Sequence, residues 1–190
     1  MVTSVALYLA FLAALYAERL AELALSRRNA RLAFAHGAAE TGRGHYPAMV
    51  AVHALFPLAC ATEVIVLHRR PPGAFGFVAL ALALVAQGIR WWAVAALGTR
   101  WNTRIIVIPG CAPVTRGPYR FLRHPNYAAV LIEALAVPLI HGAWLTALVF
   151  FAANVTLLAV RIPAEEHALG ADWRAAFPRP RWPATGVPRG

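Results

Sequence analysis

Two short polar stretches hold most of the side chains in the C-terminal half that can do chemistry: RHPNY, residues 123 to 127, and RIPAEEHAL, residues 161 to 169. In the first, Arg123 and His124 stand directly before Pro125, Asn126 and Tyr127. Proline suits the first turn of a helix, and Asn or His can cap it. A helix start with free N–H groups beside two basic side chains also binds an anion such as a carboxylate. In the second, Glu165 and Glu166 follow Arg161 by about one turn. A carboxylate there suits a cationic or hydroxyl-bearing ligand, and the arginine suits an anionic oxygen. Each stretch alone also reads as an ordinary helix start, with acids favoured by the helix dipole. Their order, and the apolar hairpin between them, make the combination more specific than either part.

The elements that position these stretches are apolar. Of 190 residues, 60% are hydrophobic and only 14% are charged, and the mean hydropathy is +0.58. A soluble domain is usually about half apolar. The chain therefore reads as an all-α, polytopic membrane protein, a single unit over residues 1–190. The first span runs over Val2 to Ala24, and the stretch SRRNARLAFAHGAAETGRGHYP after it reads as a polar loop. The second runs from Ala48 to Leu67 and the third from Ala74 to Leu97, so residues 1–97 hold three spans. Residues 98–190 then hold the polar stretches. The last apolar block, Tyr127 to Val160, is broken by HGAW at 141 to 144. At about 1.5 Å per residue each half is short for a core of about 30 Å. A tight helical hairpin is expected there, for about five transmembrane helices in all. The tail from Arg161 reads as an amphipathic helix followed by Pro-rich coil.

All 18 basic residues are arginine, and the formal net charge is +10. In so apolar a chain this points to basic loops against an anionic membrane face rather than to nucleic acid. With five spans the three Arg-rich segments share one face: Arg27, Arg28, Arg31 and Arg43; Arg100, Arg104, Arg116, Arg120 and Arg123; Arg161, Arg174, Arg179, Arg181 and Arg189. That face is expected to be cytoplasmic. Cys60 and Cys111 form no metal-type spacing, and no pair of histidines does. His36, His45 and His68 read as interfacial residues, and His53 and His141 as structural ones.

Three ionisable residues fall at similar depth inside the spans: Glu18, Arg90 and Glu133. Intramembrane charges need partners, so Arg90 is expected to pair with Glu133 or Glu18. Glu63 reads as an interfacial anchor, and Arg19 and Glu22 as side chains that snorkel to the interface.

The stretches VTRGPYRFLRHPNY (114 to 127) and RIPAEEHALGADWRAAFPR (161 to 179), flanking the hairpin, resemble the isoprenylcysteine carboxyl methyltransferase family. SRRN, GAAETGRGHYP and WNTRIIV look more like a bacterial branch of it that methylates alkylpyrones or alkylresorcinols. The resemblance implies a membrane-embedded methyltransferase using S-adenosyl-L-methionine, with its site on the cytoplasmic face of a bacterial inner membrane. It implies a donor site at Val114, after Cys111, Ala112 and Pro113, with Tyr119, His124, Pro125, Asn126, Tyr127 and Glu165. It makes Arg161 the acceptor-side arginine and, with Glu165, a catalytic residue. The acceptor would be a lipophilic small molecule: alkylpyrone, alkylresorcinol or prenylcysteine-like. Trp173 and Phe177 stand where family members often carry tyrosine, and CAPV is less polar than is common. No dedicated base stands out beyond His167 and Glu166, which favours an acceptor that is already anionic. Two other readings fit the residues: a membrane reductase using a nicotinamide cofactor on a lipid, and a non-enzymatic membrane subunit.

Overall fold

The computed structural model describes residues 2–177. The Pro-rich end of the tail, with Arg179, Arg181 and Arg189, lies outside them. Five apolar helices dominate: α1 (Val2–Ala35), α2 (Tyr46–Val66), α3 (Ala74–Leu97), α4 (Pro125–Leu139) and α5 (Trp144–Ala176). Four are long and apolar enough to cross a membrane, and α4, with 15 residues, is shorter. At about 1.5 Å per residue α4 is about 22 Å long, below the core thickness. The all-α polytopic architecture and the C-terminal hairpin, α4 with α5, are as the sequence indicates. A two-stranded antiparallel ribbon, β1 (Ala39–Thr41) with β2 (Ile105–Val107), ties the segment after α1 to the segment after α3.

Two element boundaries differ from the sequence reading. The polar stretch after the first span is not a loop at its start: α1 continues unbroken through SRRN to Ala35. Ser26 and Asn29 of this stretch face inward because they satisfy a neighbouring backbone, while Arg27 and Arg28 are exposed. Ser26 and Asn29 are both 2% exposed. Ser26 Oγ donates to Asn102 Oδ1 at 2.7 Å and accepts from the Thr103 N–H at 3.0 Å. Asn29 Nδ2 donates to the carbonyls of Gly98 and Trp101. Likewise the tail helix is not separate. α5 runs from Trp144 through Arg161 and Pro163, and its first break is at Gly170, with φ 78°. This long helix carries the second polar stretch straight out of the apolar bundle.

α3 and α4 pack most extensively of all the pairs. The buried face of α3 is Gly76, Ala79, Ala83, Ala86, Arg90 and Ala93, at helical spacing. Small residues let two helices approach closely, which is what drives association where apolar burial against lipid gains little. The apolar core lies further along the bundle, where Tyr8, Leu12 and Leu15 of α1 meet Cys60, Val64 and Val137.

The α2–α3 and α4–α5 turns meet at one end. Glu63 is not an interfacial anchor there but a cap supplied by α2 to the start of α5. Its carboxylate accepts from the N–H groups of Leu145 (3.2 Å) and Thr146 (2.7 Å), and from the Thr146 hydroxyl. Arg69 completes the group at 3.0 Å. Acids at a helix N-terminus satisfy N–H groups that have no helical partner. Gly142, with φ +72°, sits where a Cβ would lie 2.9 Å from the Arg70 carbonyl oxygen. Gly142→Ala is therefore expected to lower stability by about 1–3 kcal/mol through backbone strain and contact. A fall in the detergent melting temperature checks it.

Candidate active site

At the other end, the loops, the first turns of α2 and α4 and the later turns of α5 enclose a cavity of about 410 Å³. Its wall is built from the two polar stretches. His124 Nε2 lies 3.2 Å from Glu166 Oε1, and Nδ1 lies 4.0 Å from Glu165. The imidazole stacks on the Tyr127 ring, with centroids 5.2 Å apart, and contacts Trp173. Tyr127 donates its hydroxyl proton to Glu165 and accepts from Arg161 Nε at 2.7 Å. Arg161 is 5% exposed, and its Nη2 donates to the Thr103 carbonyl at 2.7 Å. Arg161, Tyr127 and Glu165 thus form one hydrogen-bonded row across α4 and α5.

His124 precedes α4 but makes no side-chain cap, and Pro125 brings no N–H. Arg123 lies over the Trp173 ring at 5.9 Å, with Nη2 enclosed and without a hydrogen-bond partner. An enclosed cationic nitrogen of this kind ordinarily has a partner. Tyr119, in a short 3-10 turn (Gly117–Arg120), is held above its ordinary phenol range by burial, with the Glu165 charge adding to it. It therefore stays protonated and presents a neutral aromatic face.

Beneath this wall lies a buried charged floor. Arg90 pairs with Glu133 through two bonds, Nη2–Oε2 at 2.5 Å and Nε–Oε1 at 3.1 Å. Of the two partners expected for Arg90, Glu133 is the one used. Glu18 instead accepts from Arg19, Gln87 and Trp91. Arg90 also reaches Asn126 Oδ1 at 3.4 Å and Glu22 Oε2 at 3.7 Å. Arg19 and Glu22 do not snorkel outward: they bond each other at 2.8 Å, and Glu22 is 4% exposed. The hydrocarbon offers them no water, so they pair with the other intramembrane charges.

Val114, Tyr119, His124, Asn126, Tyr127, Arg161 and Glu165 all line the cavity, as do Cys111, Ala112 and Pro113. Pro125 does not; it is fully buried behind the wall as the first residue of α4. His167 is exposed and off the cavity, so it stands outside the arrangement. The cavity also has lining residues that the sequence did not single out: His45, Tyr46, His53, Thr103 and Trp173. His45 and Tyr46 reach it because the ribbon folds the segment after α1 back over Arg161. Tyr46 bonds the Thr103 hydroxyl at 3.1 Å. No local periodicity signals such a contact. Leu20 of α1 and Val50 of α2 line the cavity and are 53% and 42% exposed. Among the described residues, no three His, Cys, Asp or Glu side chains gather as a metal site.

The fold and the cavity define an integral membrane protein with a polar, aromatic site built on an apolar bundle. Residues 79–171 match the isoprenylcysteine carboxyl methyltransferase (ICMT) family. A Bacillus subtilis (strain 168) protein, YpbQ, described as uncharacterized, is 41% identical over 158 residues, which is 83% of this chain and 94% of that relative. An uncharacterized Haemophilus influenzae protein is 27% identical over 161 residues, 83% of this chain and 91% of its own length. No solved structure matches the chain. The chain belongs to the isoprenylcysteine carboxyl methyltransferase family, which implies membrane-bound methyltransferase activity.

Proposed function

We propose that this protein transfers a methyl group from S-adenosyl-L-methionine to an oxygen of a lipophilic acceptor, with the cavity opening to the cytoplasm of a bacterial inner membrane. The observation that carries this is the meeting of RHPNY and RIPAEEHAL on one cavity wall, as a row of Arg161, Tyr127 and Glu165 beside His124. The residues fit such a donor. The enclosed, unpartnered Arg123 Nη2 and the uncapped start of α4 suit its carboxylate. Glu165 suits its amino group or ribose hydroxyls, and Tyr119 and Tyr127 suit the adenine or the sulfonium. Val114 and Asn126 complete the lining. When bound, the donor supplies an electrophilic methyl group on a positively charged sulfur.

The rest is positioning by the chain itself. Arg161 holds and orients the acceptor oxygen. Tyr127 fixes Arg161 and Glu165 relative to each other. Leu20, Leu23, Val50 and Ala54 receive the acceptor's apolar tail, which enters from the lipid between α1 and α2. Aligned reactants in a dry pocket gain about 7–11 kcal/mol in favourable cases. The cavity volume lies within the range of small-molecule sites. A prenylcysteine-like carboxylate, an alkylpyrone and an alkylresorcinol all combine such a tail with an oxygen nucleophile. SRRN and WNTRIIV support the last two, as features that look like the polyketide-methylating branch.

Calorimetry with S-adenosylhomocysteine on detergent-purified protein tests the donor site. Micromolar binding is expected, weakened at least about tenfold in both His124→Ala and Glu165→Ala. A folded wild-type protein that binds NADPH and not S-adenosylhomocysteine would replace this reading with that of a reductase.

A further inference from the structure

We propose that His45 is the acceptor-side base: its Nε2 takes the proton of a ring hydroxyl, so the acceptor is a lipophilic phenol rather than a carboxylate. This rests on the methyl-transfer reading above. His45 lines the same cavity as Arg161, and its Nε2 is enclosed without a hydrogen-bond partner. Enclosed ring nitrogens are ordinarily paired, and a ligand hydroxyl that reached it from the cavity would pair this one.

The imidazole is held in place by its surroundings. Gly42, with φ +65°, sits where a Cβ would lie 2.5 Å from His45 Cε1. Only glycine combines that conformation with room for the ring. The next residue, Tyr46, bonds the Thr103 hydroxyl, and the Thr103 carbonyl accepts from Arg161. One short scaffold therefore fixes both His45 and the arginine that would hold the acceptor oxygen. Of the charged groups around it, Arg161 from α5 acts on the imidazole electrostatically. Glu40, on its own segment, is engaged by Arg43 at 3.4 Å and by Arg104 at 3.1 Å.

The chemistry selects the acceptor class. A carboxylate, with a pKa of about 4, is ionised at neutral pH and has no proton to give. A phenol near pKa 10 keeps its proton and needs a base. In the step, the hydroxyl O–H bond breaks and its proton goes to Nε2. The acceptor oxygen gains the methyl group carried by the sulfonium donor. The S–CH3 bond breaks with its electron pair on sulfur, which leaves as a neutral thioether. The charge lost at sulfur appears on the imidazolium, which then passes its proton to solvent.

The test compares wild type, His45→Ala and His45→Gln with two acceptor probes, pentadecylresorcinol and N-acetyl-S-farnesylcysteine. S-adenosylhomocysteine binding is measured on each protein. His45→Ala is expected to lose about 10²–10³-fold in kcat on the resorcinol at neutral pH, with recovery as the pH nears the phenol's own pKa. Its binding of the resorcinol without donor weakens about tenfold, and S-adenosylhomocysteine affinity is unchanged. Full activity of His45→Ala on the resorcinol overturns the proposal, as does a loss that alkaline pH does not relieve. A donor-binding wild type that turns over only the farnesylcysteine, or neither probe, overturns it too. Absence of S-adenosylhomocysteine binding by wild type removes the methyl-transfer reading itself, which is a different failure.

Discussion

Glu133→Gln, made inside the helix bundle, should lower the unfolding free energy by about 3–5 kcal/mol. Glu133 is 7% exposed and Arg90 4%. Their bidentate contact leaves Arg90 only weaker partners, Asn126 at 3.4 Å and Glu22 at 3.7 Å. Removing the carboxylate charge leaves a buried guanidinium without its bidentate partner. Arg90→Met should also destabilise, leaving Glu133 only Arg19 Nη2 at 3.8 Å. The double change to methionine at both positions should recover most of the loss, because no buried charge is then left alone. Thermal unfolding in detergent reads this as a fall of roughly 6–20 °C for Glu133→Gln. Additive losses in the double variant would show that the two residues stabilise the bundle independently. The same experiment reaches the site, because Asn126, on the cavity wall, loses its donor in Arg90→Met. S-adenosylhomocysteine binding should then weaken more in Arg90→Met than the stability change alone explains.

Arg161→Ala should reduce kcat/KM for methyl transfer by about 10²–10³-fold. The side chain makes two charge-assisted bonds, to Tyr127 and to the Thr103 carbonyl. Such bonds contribute about 1.5–3 kcal/mol each, and about 1.4 kcal/mol corresponds to tenfold in rate. Arg161→Lys should recover little, because an ammonium cannot reach both partners with the planar geometry of a guanidinium. S-adenosylhomocysteine affinity should change far less than acceptor turnover, since the role proposed for Arg161 is to hold the acceptor oxygen. Equal losses in donor binding and turnover would place Arg161 at the donor instead. Steady-state kinetics beside calorimetry separates the two.

The parts of this architecture that follow from local rules were legible in the sequence. Apolar runs give the helices, and HGAW marks the α4–α5 turn. An intramembrane arginine demands a carboxylate, which Glu133 supplies. The parts set by distant pairing were not legible. SRRN looks like a solvated loop because four polar residues in a row carry no apolar period. It is helical because Ser26 and Asn29 satisfy a backbone segment more than 70 residues away. The ribbon pairs two strands of three residues, Ala39–Thr41 and Ile105–Val107, each too short to announce itself. His45 owes its place on the cavity wall to that ribbon, so it reads from sequence as an interfacial residue. Glu63 looks like an anchor because the start of α5 that it caps lies 82 residues away.

The continuity of α5 has a consequence for how chains of this kind can vary in length. Asn154, Leu158, Arg161, Glu165 and Leu169 all line the cavity, at steps of three or four residues along one uninterrupted helix. Each added residue turns everything beyond it by about 100°. A single insertion between Asn154 and Arg161 would swing Arg161 and Glu165 off the wall together while leaving the helix intact. A change of seven residues, close to two turns, nearly restores the facing, and it would carry the polar row about 10 Å along the helix axis. A change of length within α5 therefore displaces the row, and α5 acts as the ruler that sets where along the bundle Arg161 and Glu165 stand.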